Sequence, residues 1–215
     1  MYTLTIQLLS PTMLMSGQGD VNTDSTIVHD RYGIPFIPAK RVRGMLYESA
    51  LEVAEMMETA KMTAFTTDDV KVLFNRLEGV TDEPRLSISN LTIADYDVVS
   101  RELAQLEEQY PTVFTKDRVL EEYTSMRYYT SINQTTGTAM EGTLHNSHVL
   151  NKGLTFKGHI DVEDMTDTDR YILSCAVRNM TAIGGKRNRG FGQVVCKIDD
   201  KAFDVDTIGG TLWNK

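Results

Sequence analysis

An α+β fold is predicted by three features of this 215-residue sequence. Segments 2–9, 86–93, 154–162 and 190–198 read as half-buried strands, with apolar residues alternating against polar ones. Segments 39–58 and 168–183 repeat apolar residues at helical spacing. Once two insertions are set aside, the order is β-α-β-β-α-β, the ferredoxin-like or RRM-like arrangement. The insertions cover about 61–83, between the first helix and second strand, and about 95–152, between the second and third strands. The core comprises about 1–60, 84–94 and 153–200, one domain spanning 1–215.

The elements follow in order. Tyr2-Thr3-Leu4-Thr5-Ile6-Gln7-Leu8 alternates as a first strand. Residues 10–36 are a long Gly/Asp/Asn-rich connection holding a short alternating piece at Ser25–His29. Pro38 suits the first position of a helix whose apolar face is Val42, Met45, Leu46, Ser49, Ala50, Val53 and Met57. A shorter helix covers 68–78, with Asp68 as its cap. Leu86–Ile93 alternates as one strand, and 96–109 is a very acidic helix ending before Pro111. Tyr128–Ile132 and Thr143–Leu150 flank Thr135-Thr136-Gly137 as a hairpin. A strand at Leu154–Val162, a helix at Thr168–Ile183 with Ile172, Cys175, Ala176 and Met180 on one face, and a strand at Gly190–Ile198 complete the chain.

Composition narrows the function classes. No apolar run is long enough to span a bilayer, and the first residues lack a basic region and cleavage site, so a cytoplasmic protein is expected. Cys175 and Cys196 read as reduced core thiols and cannot build a structural zinc site. The net charge of −8 argues against a freestanding nucleic-acid binder. The acid is concentrated in Glu48–Glu58, Asp95–Glu108, Asp117–Glu122, Asp161–Asp169 and Asp199–Asp206, whereas 37–47, 127–160 and 184–194 are neutral or basic. Basic lips on an acidic body suit a subunit inside a ribonucleoprotein.

Two basic turns carry the chemistry. Gly184-Gly185-Lys186-Arg187-Asn188-Arg189-Gly190-Phe191-Gly192 threads three cations and an amide among four glycines. Glycine lets backbone approach a ligand closely, and phosphate takes both exposed N–H groups and Lys/Arg. The bland alternative is a tight turn with solvated charges. Far upstream, Lys40, Arg41 and Arg43 occupy the first two turns of the long helix, where the macrodipole disfavours cations. A bound anion reverses that sign; snorkelling surface cations are the alternative.

Gly33-x-Pro35-x-Ile37-Pro38, continuing to Arg43-Gly44 and a helix, is similar to the G-x-P-x-I-P-G-S-S-L-[RK]-G signature of the CRISPR-associated RAMP superfamily. Gly184-Gly185 through Arg189-Gly190-Phe191-Gly192-Gln193-Val194 resembles that superfamily's C-terminal glycine-rich loop. Thr130–Ala139 looks like the thumb hairpin, about 128–150, of the repeated backbone subunit in type III effector complexes. The sequence departs from the signature at Ala39-Lys40-Arg41, where the family has small Gly-Ser-Ser.

The resemblance implies a subunit that polymerises along a CRISPR guide RNA beside other effector-complex subunits and pairs with a complementary target RNA. On that reading Lys40, Arg41, Arg43, Arg127, Asn133, Gly184, Gly185, Lys186, Arg187, Asn188 and Arg189 contact RNA. Ile132 and Met140 wedge between bases, unless they pack in a core. The resemblance also implies an aspartate on the loop after the first strand that cleaves target RNA with Mg²⁺ or Mn²⁺. Spacing to Ile37-Pro38 aligns Asp24 with it, with Asp20 and Asp30 as fallbacks and a turn-capping Asp as the structural alternative. The carboxylate would hold the hydrated ion while a ribose 2′-OH attacks the adjacent phosphorus.

Three other functions remain open: a non-catalytic guide-RNA scaffold, a stand-alone guide-processing endoribonuclease using His29, and a generic RRM, which lacks the expected strand-face aromatic pair. His145 and His148 have the spacing of two metal ligands but no third nearby, and are expected in a solvated loop.

Overall fold

The computed structural model describes residues 1–15, 26–62, 64–77, 84–133 and 135–203. Its main sheet is built on β1 (Tyr2–Leu8), whose Leu4, Ile6 and Leu8 are buried at alternate positions. β1 pairs antiparallel with β7 (Thr155–Val162) on one side and with β8 (Val194–Ile198) on the other. Beyond β7 lie β3 (Leu86–Ile88) and β4 (Leu91–Ile93), and β2 (Phe36–Ile37) pairs with β4. The strand path is β2-β4-β7-β1-β8, all antiparallel. Phe156, Ile160 and Val162 of β7 are buried on the covered face, while Lys157, His159 and Asp161 are exposed.

Two helices cover that face. α1 (Ala39–Thr59) buries Val42, Leu46, Ser49, Ala50 and Ala54. α5 (Asp167–Asn179) buries all residues from Tyr171 to Val177. The two pack on each other, where Ser49 Oγ donates to the carbonyl of Ala176 at 2.7 Å. α5 starts in a capping box between Thr166 and Asp169, and Arg85 ties that box to the sheet by a 2.8 Å ion pair to the buried Asp169. It ends at Asn179 rather than 183, because the following residues turn back to pair Ala182 with Gln193.

The expected strand 86–93 is two strands. Pairing slips by one residue between Ile88↔Ile160 and Thr92↔Lys157, which marks a bulge at Ser89-Asn90. Ser89 rejoins the ladder with its side chain: its N–H donates to the His159 carbonyl, and its Oγ accepts from the His159 N–H. Gly158 makes the room, since a Cβ there would lie 2.8 Å from the Asn90 oxygen. The bulge aims Asn90 at α1, where its Oδ1 accepts the Ala39 N–H at 2.9 Å. Pro38 is therefore the cap of α1 rather than its first residue, and one N–H of this terminus is already satisfied within the protein.

The first insertion carries α2 (Thr67–Leu73), capped by Thr66 with Asp69 in a capping box, so Asp68 is not the cap. The second carries α3 (Tyr96–Gln109), an additional short helix α4 (Lys116–Tyr123), and a separate two-stranded sheet of β5 (Thr124–Tyr129) and β6 (His145–Leu150). β6 is bonded to the chain leaving β1 through paired Thr12–Leu150 backbone hydrogen bonds of 2.9 and 3.0 Å. No described helix is long and apolar enough to cross a membrane.

Candidate nucleic-acid interface

The glycine-rich loop is pinched at its neck. Ile183 N–H donates to the Gly192 carbonyl at 2.8 Å, and Val194 N–H to that of Thr181 at 2.9 Å. Gly184 and Gly192 both have φ near +80°, and a Cβ at either would overlap backbone: the Met13 carbonyl and the Ile183 carbonyl respectively. Gly185 donates its N–H to the Met13 oxygen at 3.0 Å. The glycines thus serve close approach, but the partner is the protein's own backbone. Gly192→Ala combines an unfavourable φ with a backbone overlap, so stability falls by on the order of 2–3 kcal/mol, read as a lower melting temperature. Gly190 differs: it also has positive φ, but open space surrounds its Cβ position.

The neck presents what it encloses. Lys186 takes a left-handed conformation, φ +55°, and starts a 3-10 turn over Arg187–Arg189. Arg187, Asn188 and Arg189 are exposed. Among the described residues neither arginine has an ion-pair partner. The Lys186 ammonium lies 2.9 Å from the ring centroid of Tyr129, a cation–π contact between this loop and β5.

Tyr129 is the joint between loop and hairpin. Its hydroxyl shares a 2.8 Å hydrogen bond with Ser147 Oγ, and its ring lies 5.7 Å from that of His145. Arg127 is two residues back on β5, opposite Ser147, and so on the same face as Tyr129 and His145. His145 and His148 are both on β6 rather than in a loop; three apart on a strand, they face opposite sides, and His148 instead contacts Thr124 Oγ1. Among the described residues no group of three or more His, Cys, Asp or Glu is placed to hold a metal ion. Burial raises the pKa of both thiols, that of Cys196 to about 12, so neither is a nucleophile at neutral pH.

Beyond Tyr129 the hairpin continues to a tip. Met140 N–H donates to Ser131, Asn133 N–H to Thr138, and Ile132 pairs with Ala139. Asn133 Oδ1 accepts from the N–H groups of Thr135 and Thr136, so its carboxamide oxygen shapes the turn. Ile132 is 55% exposed and Met140 48%, with Tyr128 and Leu144 also exposed, so neither proposed wedge residue packs in a core.

The upstream basic turn divides. Lys40 is exposed. Arg41 donates to the Met15 carbonyl. Arg43 donates to the carbonyls of Leu86 at 2.8 Å and Phe74 at 2.9 Å, knitting α1 to β3 and α2. Burial, then Arg76, lowers its pKa. Arg43 is thus occupied internally.

Met13 and Met15 are where the pieces meet. Met13 pairs with Gly185, a Cβ at Gly185 would sit 3.6 Å from Met15 Cε, and Arg41 bonds the Met15 carbonyl. Both basic turns therefore converge on the segment leaving β1, and Lys186 links them to the hairpin. Met15 also pairs with Ile27, bracketing residues 16–25. Asp20 and Asp24 lie in that bracket, outside the described residues. Asp30 is described and is a turn residue: its Oδ1 accepts from the N–H groups of Tyr32 and Ile34, and its Oδ2 from the Tyr96 hydroxyl. Burial and this last bond raise the Tyr96 pKa to about 12. His29 lies beside it, with Nδ1 2.7 Å from the Asp30 carbonyl.

Sequence reasoning missed Met13, Met15, Tyr129 and His145 as parts of this junction. The signal for the aromatics was present, because Arg127 and Tyr129 share one strand face with a cross-strand histidine.

The fold is similar to that of a chain in the type III-B Cmr-β complex, solved by cryo-EM bound to cognate target RNA. The TM-score is 0.66 at 11% identity, covering 96% of this chain and 98% of that one. It is also similar to a chain of the type III-B Cmr-β apo state, with TM-score 0.64 at 11% identity, covering 94% and 98%. No curated protein sequence is significantly similar. Residues 5–195, which include both basic turns and the hairpin between them, match the RAMP superfamily, and the chain belongs to that family.

Proposed function

We propose that this protein is a CRISPR guide-RNA-binding backbone subunit of a type III-like effector ribonucleoprotein, and that it cleaves complementary target RNA within the assembled complex. The supporting observation is the convergence of Arg41 and the Lys186–Arg189 turn on Met13–Met15, beside the root of an exposed hairpin, with Lys40 exposed next to Arg41 in the chain. Phosphates are held by exposed cations, and Arg187 and Arg189 are exposed with no ion-pair partner among the described residues. The strand order β8-β1-β7-β4, with α1 and α5 on one face, is read as the ferredoxin-like core, and β5–β6 with its tip as the thumb. Exposed Ile132 and Met140 at the tip suit side chains that unstack a base step.

The partners on this reading are guide RNA, target RNA, further copies of the chain in a filament and other effector subunits, in the cytoplasm. Asp24 is the candidate catalytic carboxylate and would hold Mg²⁺ or Mn²⁺, which supplies charge neutralisation at the reacting phosphate. Asp30 does not fit that role, since both its oxygens already accept hydrogen bonds. The scaffold that binds RNA without cutting is the second reading, since exposed Arg187, Arg189 and the hairpin tip serve it without a carboxylate.

Binding is tested by filter retention of a repeat-derived single-stranded RNA against duplex DNA of equal length. The RNA is expected to bind at least about tenfold more tightly, because the acidic body repels a rigid duplex outside the basic junction. Equal retention contradicts the reading.

A further inference from the structure

We propose that the groove between α3 and α4 is a docking site for a basic amphipathic helix of a partner protein. This inference is independent of the RNA reading. The groove, about 330 Å³, is lined by Val99 and Leu103 of α3, Val113 and Phe114 of the connection, and Val119 and Tyr123 of α4. Val113 in its lining is about half exposed, as is Tyr110, whose ring lies 6.5 Å from that of Phe114. A contiguous apolar surface of this kind on a polar chain marks an interaction site.

α3 is only partly covered by the protein that carries it: Tyr96, Val99 and Leu103 pack against the core but stay part-exposed. None of its fourteen residues is buried. Its N-cap, Asp95, is left-handed and makes no side-chain capping bond. A helix of this length is marginal in water by itself, and its stability comes from covering its apolar face. A second helix laid in the groove completes that cover.

Charge selects the occupant. Residues 95–123 hold eight acidic and three basic residues, and all eight acids are exposed. Among the described residues none of those acids is in a salt bridge. Glu122 and Arg118 both lie on the groove wall, so the negative charge comes from the rim as a whole. Such a rim repels the phosphates of RNA and attracts a helix that places Leu-type side chains on one face and Lys or Arg on the other.

The test uses the full chain and a fluorescein-labelled synthetic helical peptide with Leu at i, i+3, i+4 and i+7 and Lys elsewhere. Anisotropy is expected to show saturable binding that weakens as salt rises, and hydrogen exchange to slow across Tyr96–Gln109. A peptide of the same pattern with Glu for Lys is expected to bind at least about tenfold more weakly. Leu103→Asp in the groove reduces binding of the Lys peptide about tenfold or more, as does Val113→Asp at a half-exposed position where folding is not at stake. Val72→Asp, on α2 and outside the groove, leaves it unchanged. The proposal is overturned if no saturable binding occurs, if the Glu peptide binds as well, or if the Val113 and Val72 variants behave alike.

Discussion

Replacing Lys186, Arg187 and Arg189 together with Ala is expected to lower affinity for guide RNA by roughly 100-fold at physiological salt and to flatten its salt dependence. The reason is counterion release. Each phosphate neutralised by a side chain frees a condensed cation, and for single strands the slope of log affinity against log salt is about −0.7 per contact. Three lost contacts thus remove about two from that slope. The pinched neck of the loop is made by backbone bonds from Ile183 and Val194, so the substitutions leave it standing. Lys40→Ala acts in the same direction more weakly. Arg43→Ala acts differently: it strips the partner from the Leu86 and Phe74 carbonyls and lowers the melting temperature without a specific change in slope. Filter binding over a salt series separates the two, and an unaltered slope in the triple variant contradicts the assignment of the loop.

Asp24→Ala is expected to abolish metal-dependent cleavage of a guide-complementary RNA while leaving guide and target binding nearly unchanged. One loop carboxylate adds nothing favourable to holding a polyanion, and removing it relieves repulsion. On the proposed catalytic reading its contribution is confined to the transition state, so the loss is expected to fall on rate rather than affinity. Asp30→Ala separates the roles. It removes an acceptor from the N–H groups of Tyr32 and Ile34 and from the Tyr96 hydroxyl, so it lowers stability instead. Single-turnover cleavage with Mg²⁺ or Mn²⁺ reads the first effect and thermal melting the second. If Asp24→Ala cuts at the normal rate and Asp20→Ala does not, the alignment shifts by one acidic position. If the unmutated assembly never cuts, the scaffold reading replaces it.

Periodicity made the long elements legible. α1 buries one face in a 3.6-residue pattern, α5 is buried on every side from Tyr171 to Val177, and β1 and β7 alternate because the sheet is covered on one side only. The bulge was also written in the sequence. Leu86 and Ile88 alternate in one phase, Leu91 and Ile93 in the other, and the slip falls at Ser89-Asn90. α4 escaped because eight mostly charged residues bury a single Leu120. The site was legible only as residue types. A glycine's freedom is visible in a sequence, but whether a ligand or the chain's own carbonyl fills the space is not, and at Gly184 and Gly192 it is the carbonyl. A cation is visible too, but the acceptors that occupy Arg43 come from residues 31 and 43 positions away. The cation–π contact between Lys186 and Tyr129 joins the glycine-rich loop of the core to the second insertion, which no local pattern connects.

The central claim, a subunit that assembles along guide RNA, is tested most directly by multi-angle light scattering of the purified chain mixed with repeat-derived RNAs of increasing length. The account predicts complexes whose mass rises in steps of one protein copy per added RNA segment, and that lose this growth when Lys186, Arg187 and Arg189 are replaced. A complex holding one protein copy at every RNA length would contradict it.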